Sequence, residues 1–195
     1  MSKSQKTSDL RIIGGHWRGR KVSFNPVPNL RPTPDRVRET LFNWLQGRVA
    51  QTRCLDLFAG SGILSIEALS RGAQHITLLE QDPSTHRHLS QQFARLSLPT
   101  GHYALLRQDA FEFIKQSPQN PYDLIFIDPP FATDQYEPLR DLILENNLLA
   151  PGGLVYVEAP QAQILEKFSN ETLSMHRQSR AGQIFYGLLT QSSEV

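Results

Sequence analysis

One cysteine, Cys54, carries all the thiol chemistry of the 195 residues. That excludes an intramolecular disulfide and any cysteine-cluster metal site. Long apolar runs are lacking too. The longest are strand-sized, so no segment reads as a membrane span. The opening MSKSQKTSDLR has no apolar stretch of the kind a secretory signal needs. Six histidines fall at no ligand spacing, and no metal is expected. Net charge is also nearly absent, at +1. A hydrophobic fraction of 39% with 20% charged residues is that of a soluble globular protein, for which a cytoplasmic location is the default. The length suits one domain of ordinary size with a small appendage, expected to act as a monomer.

The near-zero net charge conceals an asymmetry. Residues 1–50 carry ten Lys/Arg against three acids, and the remainder carries ten against sixteen. A basic front on an acidic body suits a polyanion partner, and nucleic acid is the usual one. Residues 1–10 are polar and expected to be disordered. Arg11 to Phe24, RIIGGHWRGRKVSF, has β-like ends around Gly14, Gly15 and Gly19, which predicts a hairpin. Arg11, Arg18, Arg20 and Lys21 are interleaved there with His16 and Trp17, a set suited to RNA phosphates and bases. The plainer alternative is a hairpin whose Trp17 packs on the body. After a proline-rich stretch, a helix is expected from about Pro34 to Gln46, with Thr33 as N-cap and Pro34 at N1. Val37, Leu41, Trp44 and Leu45 mark its apolar face.

From Cys54 the pattern alternates. The apolar runs are CLDLF (54–58), ITLLE (76–80), YALLR (103–107), DLIFI (123–127) and LVYVE (154–158). Amphipathic stretches at 61–71, 83–97, 109–117 and 135–149 separate them, and Gly72 suits the end of the first. Strands apolar throughout, with helical crossovers, imply a parallel sheet covered on both faces. The last two runs, 171–179 and 183–191, are linked too tightly for a helix and predict an antiparallel hairpin at the sheet edge. The division that follows is a tail (1–10), a basic hairpin and helix (11–50), and a main α/β domain (51–195).

Ligands of such sheets bind at the carboxyl ends of the strands. The first strand leads into LDLFAGSG, where Gly60 and Gly62 allow a backbone to approach a ligand closely. Phe58 and Ser65 break the dinucleotide fingerprint, which disfavours a pyrophosphate site. Asp56 lies in an apolar strand, and a buried acid needs a cationic ligand or backbone N–H groups. Glu80 follows Gly60 at the offset where an acid meets ribose hydroxyls, and Asp82 reads as the next N-cap. Asp109, before Ala110, has two open uses: accepting from an adenine amino group, or capping the next helix. The fourth strand ends in Asp128-Pro129-Pro130-Phe131. Two prolines remove donors and stiffen acceptors. The Asp128 carboxylate and Pro129 carbonyl, with Phe131 as a flat wall, suit an –NH₂ group on a planar ring.

DLFAGSG, Glu80, Asp109-Ala110 and DPPF together resemble the class I S-adenosylmethionine methyltransferases that act on exocyclic amines. RIIGGHWRGRKV followed by RPTPDRVRETLFNWL is similar to the RsmD family, over roughly Arg11 to Gly187. The resemblance implies a Rossmann-like fold with a mostly parallel seven-stranded sheet and a C-terminal antiparallel hairpin. It implies methylation of guanine N2 in small-subunit (16S) ribosomal RNA, within the subunit or an assembly intermediate. S-adenosyl-L-methionine would be held by the Phe58-Gly60-Gly62 loop, Asp56, Glu80, Asp109 and Ala110, with Thr33 and Arg36 reaching its carboxylate; S-adenosyl-L-homocysteine would be the product. Asp128, Pro129 and Phe131 would receive the base. A DNA N6-adenine methyltransferase shares the strand-end residues but usually needs a target-recognition segment, for which no stretch is spare. A catalytically silent RNA-binding assembly factor is the non-enzymatic rival, and the intact Asp128, Gly60, Gly62 and Glu80 argue against it.

Overall fold

The computed structural model describes residues 8–24, 32–98, 101–116, 120–130 and 133–191. Two short strands, β1 (Ser8–Arg11) and β2 (Lys21–Phe24), pair antiparallel as the expected hairpin. Its first strand takes in Ser8 to Leu10, so the end of the segment expected to be disordered is structured. Pairing across the hairpin supplies the backbone partners that local composition did not reveal. Nor is the hairpin a unit apart. Ile12 and Val22 are fully buried in the same core as the main body.

Helix α1 (Asp35–Trp44) follows. Pro34, not Thr33, occupies its N-cap, and no side chain caps it. Then come β3 (Arg53–Asp56), α2 (Ile63–Ser70), β4 (His75–Leu79), α3 (Pro83–Leu96), β5 (Tyr103–Leu106) and α4 (Ala110–Ile114). The chain continues through β6 (Tyr122–Ile127), α5 (Tyr136–Glu145), β7 (Leu149–Ala159), α6 (Ala162–Phe168), β8 (Leu173–Ala181) and β9 (Ile184–Gln191). The main sheet has seven strands in the order β5-β4-β3-β6-β7-β9-β8. The first five of these are mutually parallel; β9 runs antiparallel to β7, and the edge strand β8 is antiparallel to β9 and so shares the direction of the five.

Helices α1 to α3 and the hairpin cover one face, and α4 to α6 cover the other. The middle strands are therefore apolar on both sides: Leu124, Ile125, Phe126 and Ile127 of β6 are all buried. Each such side chain contributes roughly 1.5–3 kcal/mol relative to exposure. Two expected boundaries shift. Leu149, placed by periodicity in the fourth helix, begins β7, because the chain leaves α5 after Glu145 and pairs early with Tyr122. Helix α6 was not anticipated; it is only seven residues long and buries Ile164, Leu165 and Phe168 under β7.

Strand order reverses at β3, which has β4 on one side and β6 on the other. That switch point opens a crevice at the carboxyl ends of β3 and β6.

Candidate active site

The crevice is a cavity of about 430 Å³. Its walls come from the strand ends singled out by sequence: Asp56 at the end of β3 with Phe58 beyond it, Glu80 after β4, Asp109 and Ala110 after β5, and Asp128 with Pro129 after β6. Gly60 lies at the turn below, and Pro32 and Thr33 close the near side.

Each acid is held in a definite way. The Glu80 carboxylate accepts from the Gly60 N–H (3.1 Å) at one oxygen and from the Asp82 N–H (2.8 Å) at the other. Both oxygens keep further lone pairs. Burial raises its pKa, and those two N–H groups oppose the rise. Of its two open uses, Asp109 serves as N-cap of α4, accepting from the Glu112 N–H (3.1 Å), and it also lines the cavity. Asp82 caps α3 through the Thr85 N–H, as expected. Asp56 accepts from the Ser65 hydroxyl at 2.6 Å and from the Phe58 N–H. Even so, burial pushes its carboxyl up to about 6, helped by Glu80 and Glu158 nearby.

Asp128 is pushed well above the ordinary carboxylate range, first by burial and then by Glu158 and Asp56. Glu158, at the end of β7, is a member of this acidic cluster that the sequence reading passed over. Its carboxylate accepts from the Tyr156 hydroxyl (2.9 Å) and from the Thr33 hydroxyl, and its backbone carbonyl accepts from the Tyr136 hydroxyl (2.9 Å). The available signal was positional: LVYVE ends an apolar strand in an acid, as the strands bearing Asp56, Glu80 and Asp128 do.

Some expectations do not hold in place. Gly62 does not line the cavity. It starts α2 at φ +71°, and an added Cβ would stand 2.6 Å from Leu89 Cδ2, so its lack of a side chain serves packing against α3. Arg36 is exposed on the first turn of α1 and is not part of the cavity wall. Phe131 lies outside the described residues. Thr33 does reach the cavity, but its hydroxyl is engaged by Glu158.

In the hairpin, Arg11, His16, Arg18, Arg20 and Lys21 are exposed. Lys21 pairs with Asp9 at 3.3 Å. Trp17 is half-buried against the core, with its backbone N–H donating to Ser70 Oγ, so packing accounts for much of its side chain. His16 stands edge-on to it.

A switch-point crevice walled by acids at four parallel strand ends, with one reversed strand, β9, inserted between β7 and the edge strand β8, defines the class I methyltransferase fold. The chain belongs to the RsmD family. The model of that family, described as conserved hypothetical protein 95, matches residues 10–190. Ribosomal RNA small subunit methyltransferase D of Escherichia coli is 40% identical over 188 residues, 96% of this chain and 93% of that protein. The Haemophilus influenzae protein of the same name is 43% identical over 85% of this chain and 86% of its own length. A solved structure of the Escherichia coli protein yhhF, described as a candidate methyltransferase, is 42% identical with a TM-score of 0.83, covering 96% of this chain and all of that one.

Proposed function

We propose that the protein transfers a methyl group from S-adenosylmethionine to the exocyclic N2 of a guanine in small-subunit ribosomal RNA, within the subunit or an assembly intermediate, as a cytoplasmic monomer. The observation that carries this reading is the acceptor cluster of Asp128 and Pro129 in one cavity with Glu80 and Asp109, in a chain of this family. The cavity walls fit the cofactor. Donor-rich groups (two ribose hydroxyls, an adenine amine, an ammonium) meet Glu80, Asp109 and Asp56, and the volume suits a nucleoside-sized ligand. When bound, S-adenosylmethionine supplies an electrophilic methyl on a sulfonium.

The chain's own residues then do the rest. Glu80 would hold the ribose, its carboxylate already oriented by two backbone N–H groups. Asp109 and the Ala110 N–H would take the adenine. Asp56 would balance the methionine ammonium. The guanine must leave its stack to enter the pocket. Asp128 and the Pro129 carbonyl would accept both N–H bonds of its amine, drawing the nitrogen lone pair out of conjugation and towards the methyl. The nitrogen becomes acidic as it is alkylated, and the raised proton affinity of Asp128 suits it to hold the released proton. Positioning and electrostatics supply most of the acceleration.

The test is Asp128→Ala. Methyl transfer to small subunits should fall at least about a thousandfold, on the scale of a lost electrostatic group. S-adenosylhomocysteine affinity by calorimetry should stay within about threefold, since Asp128 faces the base. Near-normal turnover would remove Asp128 from its assigned role.

A further inference from the structure

Behind the cavity lies a charged cluster that the methyl transfer does not use. Arg38 of α1 and Glu67 of α2 are both completely buried. Arg38 distributes its donors among four segments. Nε donates to the Thr33 carbonyl (3.2 Å), on the cavity wall, and Nη2 to Asp35 (2.6 Å). Nη1 donates to the Arg11 carbonyl of the hairpin (3.0 Å) and to Glu67 Oε1. Glu67 Oε1 also accepts from the Ile13 N–H of the hairpin (2.7 Å), and its other oxygen pairs with Arg71. Next to it the hairpin tip docks on the end of α2: His16 N–H donates to the Ser70 carbonyl (2.6 Å), and Ser70 Oγ donates to the Gly14 carbonyl (2.6 Å).

Stability alone is a poor reason for this arrangement. A buried ion pair is often no more stabilising than apolar side chains of the same volume. What apolar residues could not do is hold two carbonyls and a backbone N–H from separate segments in one register. Thr33 is thereby pinned twice, by Arg38 at its carbonyl and by Glu158 at its hydroxyl.

We propose that Arg38 is a positioning residue that makes the basic hairpin and the Thr33 wall of the cofactor cavity one mechanical unit, so that the seating of the hairpin sets cofactor affinity. Lifting the hairpin takes the Arg11 carbonyl from Arg38 and the Ile13 N–H from Glu67. Water then reaches the pair, and the grip on Thr33 loosens. Coupling free energies are reciprocal, so an RNA that seats the hairpin tightens cofactor binding and the converse; only this clause rests on the hairpin being an RNA contact.

Two variants test it without RNA. Gly15→Ala acts at the docking point, far from the cavity: its Cβ would stand 1.9 Å from the Ser70 carbonyl oxygen, at φ +75°, so the tip must lift. Arg38→Lys keeps the charge facing Glu67 but removes the fork that reaches both Arg11 and Thr33. S-adenosylhomocysteine is titrated by calorimetry into each variant, with far-ultraviolet circular dichroism confirming the fold. Binding by the unmodified protein is the control for the cofactor reading itself. The expected result is a Kd raised about tenfold in both, within the usual range of coupling between sites. KM for S-adenosylmethionine should rise in parallel, while kcat at saturating cofactor stays within about twofold. General loosening of the fold would lower kcat as well. A Kd unchanged in either folded variant overturns the proposal.

Discussion

Three carboxyl groups, Asp56, Asp128 and Glu158, face one another at the ends of β3, β6 and β7. Like charges in a low-dielectric site cannot all stay ionised, and all three are pushed towards the protonated form. This has a sign. A carboxyl whose folded pKa lies above its unfolded one costs nothing while both states are protonated. Its contribution to stability is intact below the unfolded pKa and is lost as pH rises through the folded one. For Asp56 the window runs from 3.8 to about 6. The free protein therefore carries strain at neutral pH, on the order of 2–3 kcal/mol from this group. A cationic ligand would relieve it. Asp56→Asn should melt above the unmodified protein at pH 7.5, with the difference closing below pH 4, and should bind S-adenosylhomocysteine about tenfold more weakly. Equal melting temperatures at pH 7.5 would show that Asp56 carries no such strain. The acids at strand ends were legible because each interrupts or ends an apolar run. Glu158 carries the same positional signal, but its role does not show in the sequence, because its partners Tyr156, Thr33 and Asp128 come together only when β6 and β7 pair and the chain before α1 folds over them.

Among the elements, the hairpin β1–β2 has the most open chemistry. It is fastened to α3 as well as α2, with His88 and Gln92 both at the Ser23 carbonyl. Arg18, Arg20 and Lys21 remain exposed on it. The Lys21–Asp9 pair is an exposed surface contact, weakened by water and salt, so it can open towards a phosphate. Replacing Arg18, Arg20 and Lys21 together by Ala should weaken RNA binding. It should also lower the slope of log affinity against log salt by about two to three, one for each phosphate no longer neutralised. An unchanged slope would remove the hairpin from the RNA interface. Elements with strong periodicity or turn chemistry were readable in advance: the hairpin, α1, the five parallel strands and the β8–β9 pair. Helix α6 was not, since seven residues hold under two full periods of a helix. The cap of α1 was misjudged because Thr33 has a better partner in Glu158, a tertiary contact that local spacing does not encode.

At the scale of the whole molecule, the sheet order with its reversal at β3 collects residues more than seventy positions apart, Asp56 and Asp128, into one crevice. Fully apolar strands with crossovers announced the parallel sheet, and the short link at Arg180-Ala181-Gly182 announced its antiparallel edge. The cavity wall was legible for the same reason: in this topology every parallel strand ends on the same side. Thr33 of the front wall was expected at the cofactor from the family resemblance; what sequence could not show is how that wall is held, with the segment before α1 anchored by the buried Arg38 and Glu158. The central claim is the identity of the methyl acceptor. Its most direct test incubates the protein and labelled S-adenosylmethionine with small ribosomal subunits from cells lacking the enzyme, then maps the labelled nucleotide. The account predicts label on N2 of a single guanine of the small-subunit RNA. Label on adenine, in DNA or in protein would contradict it.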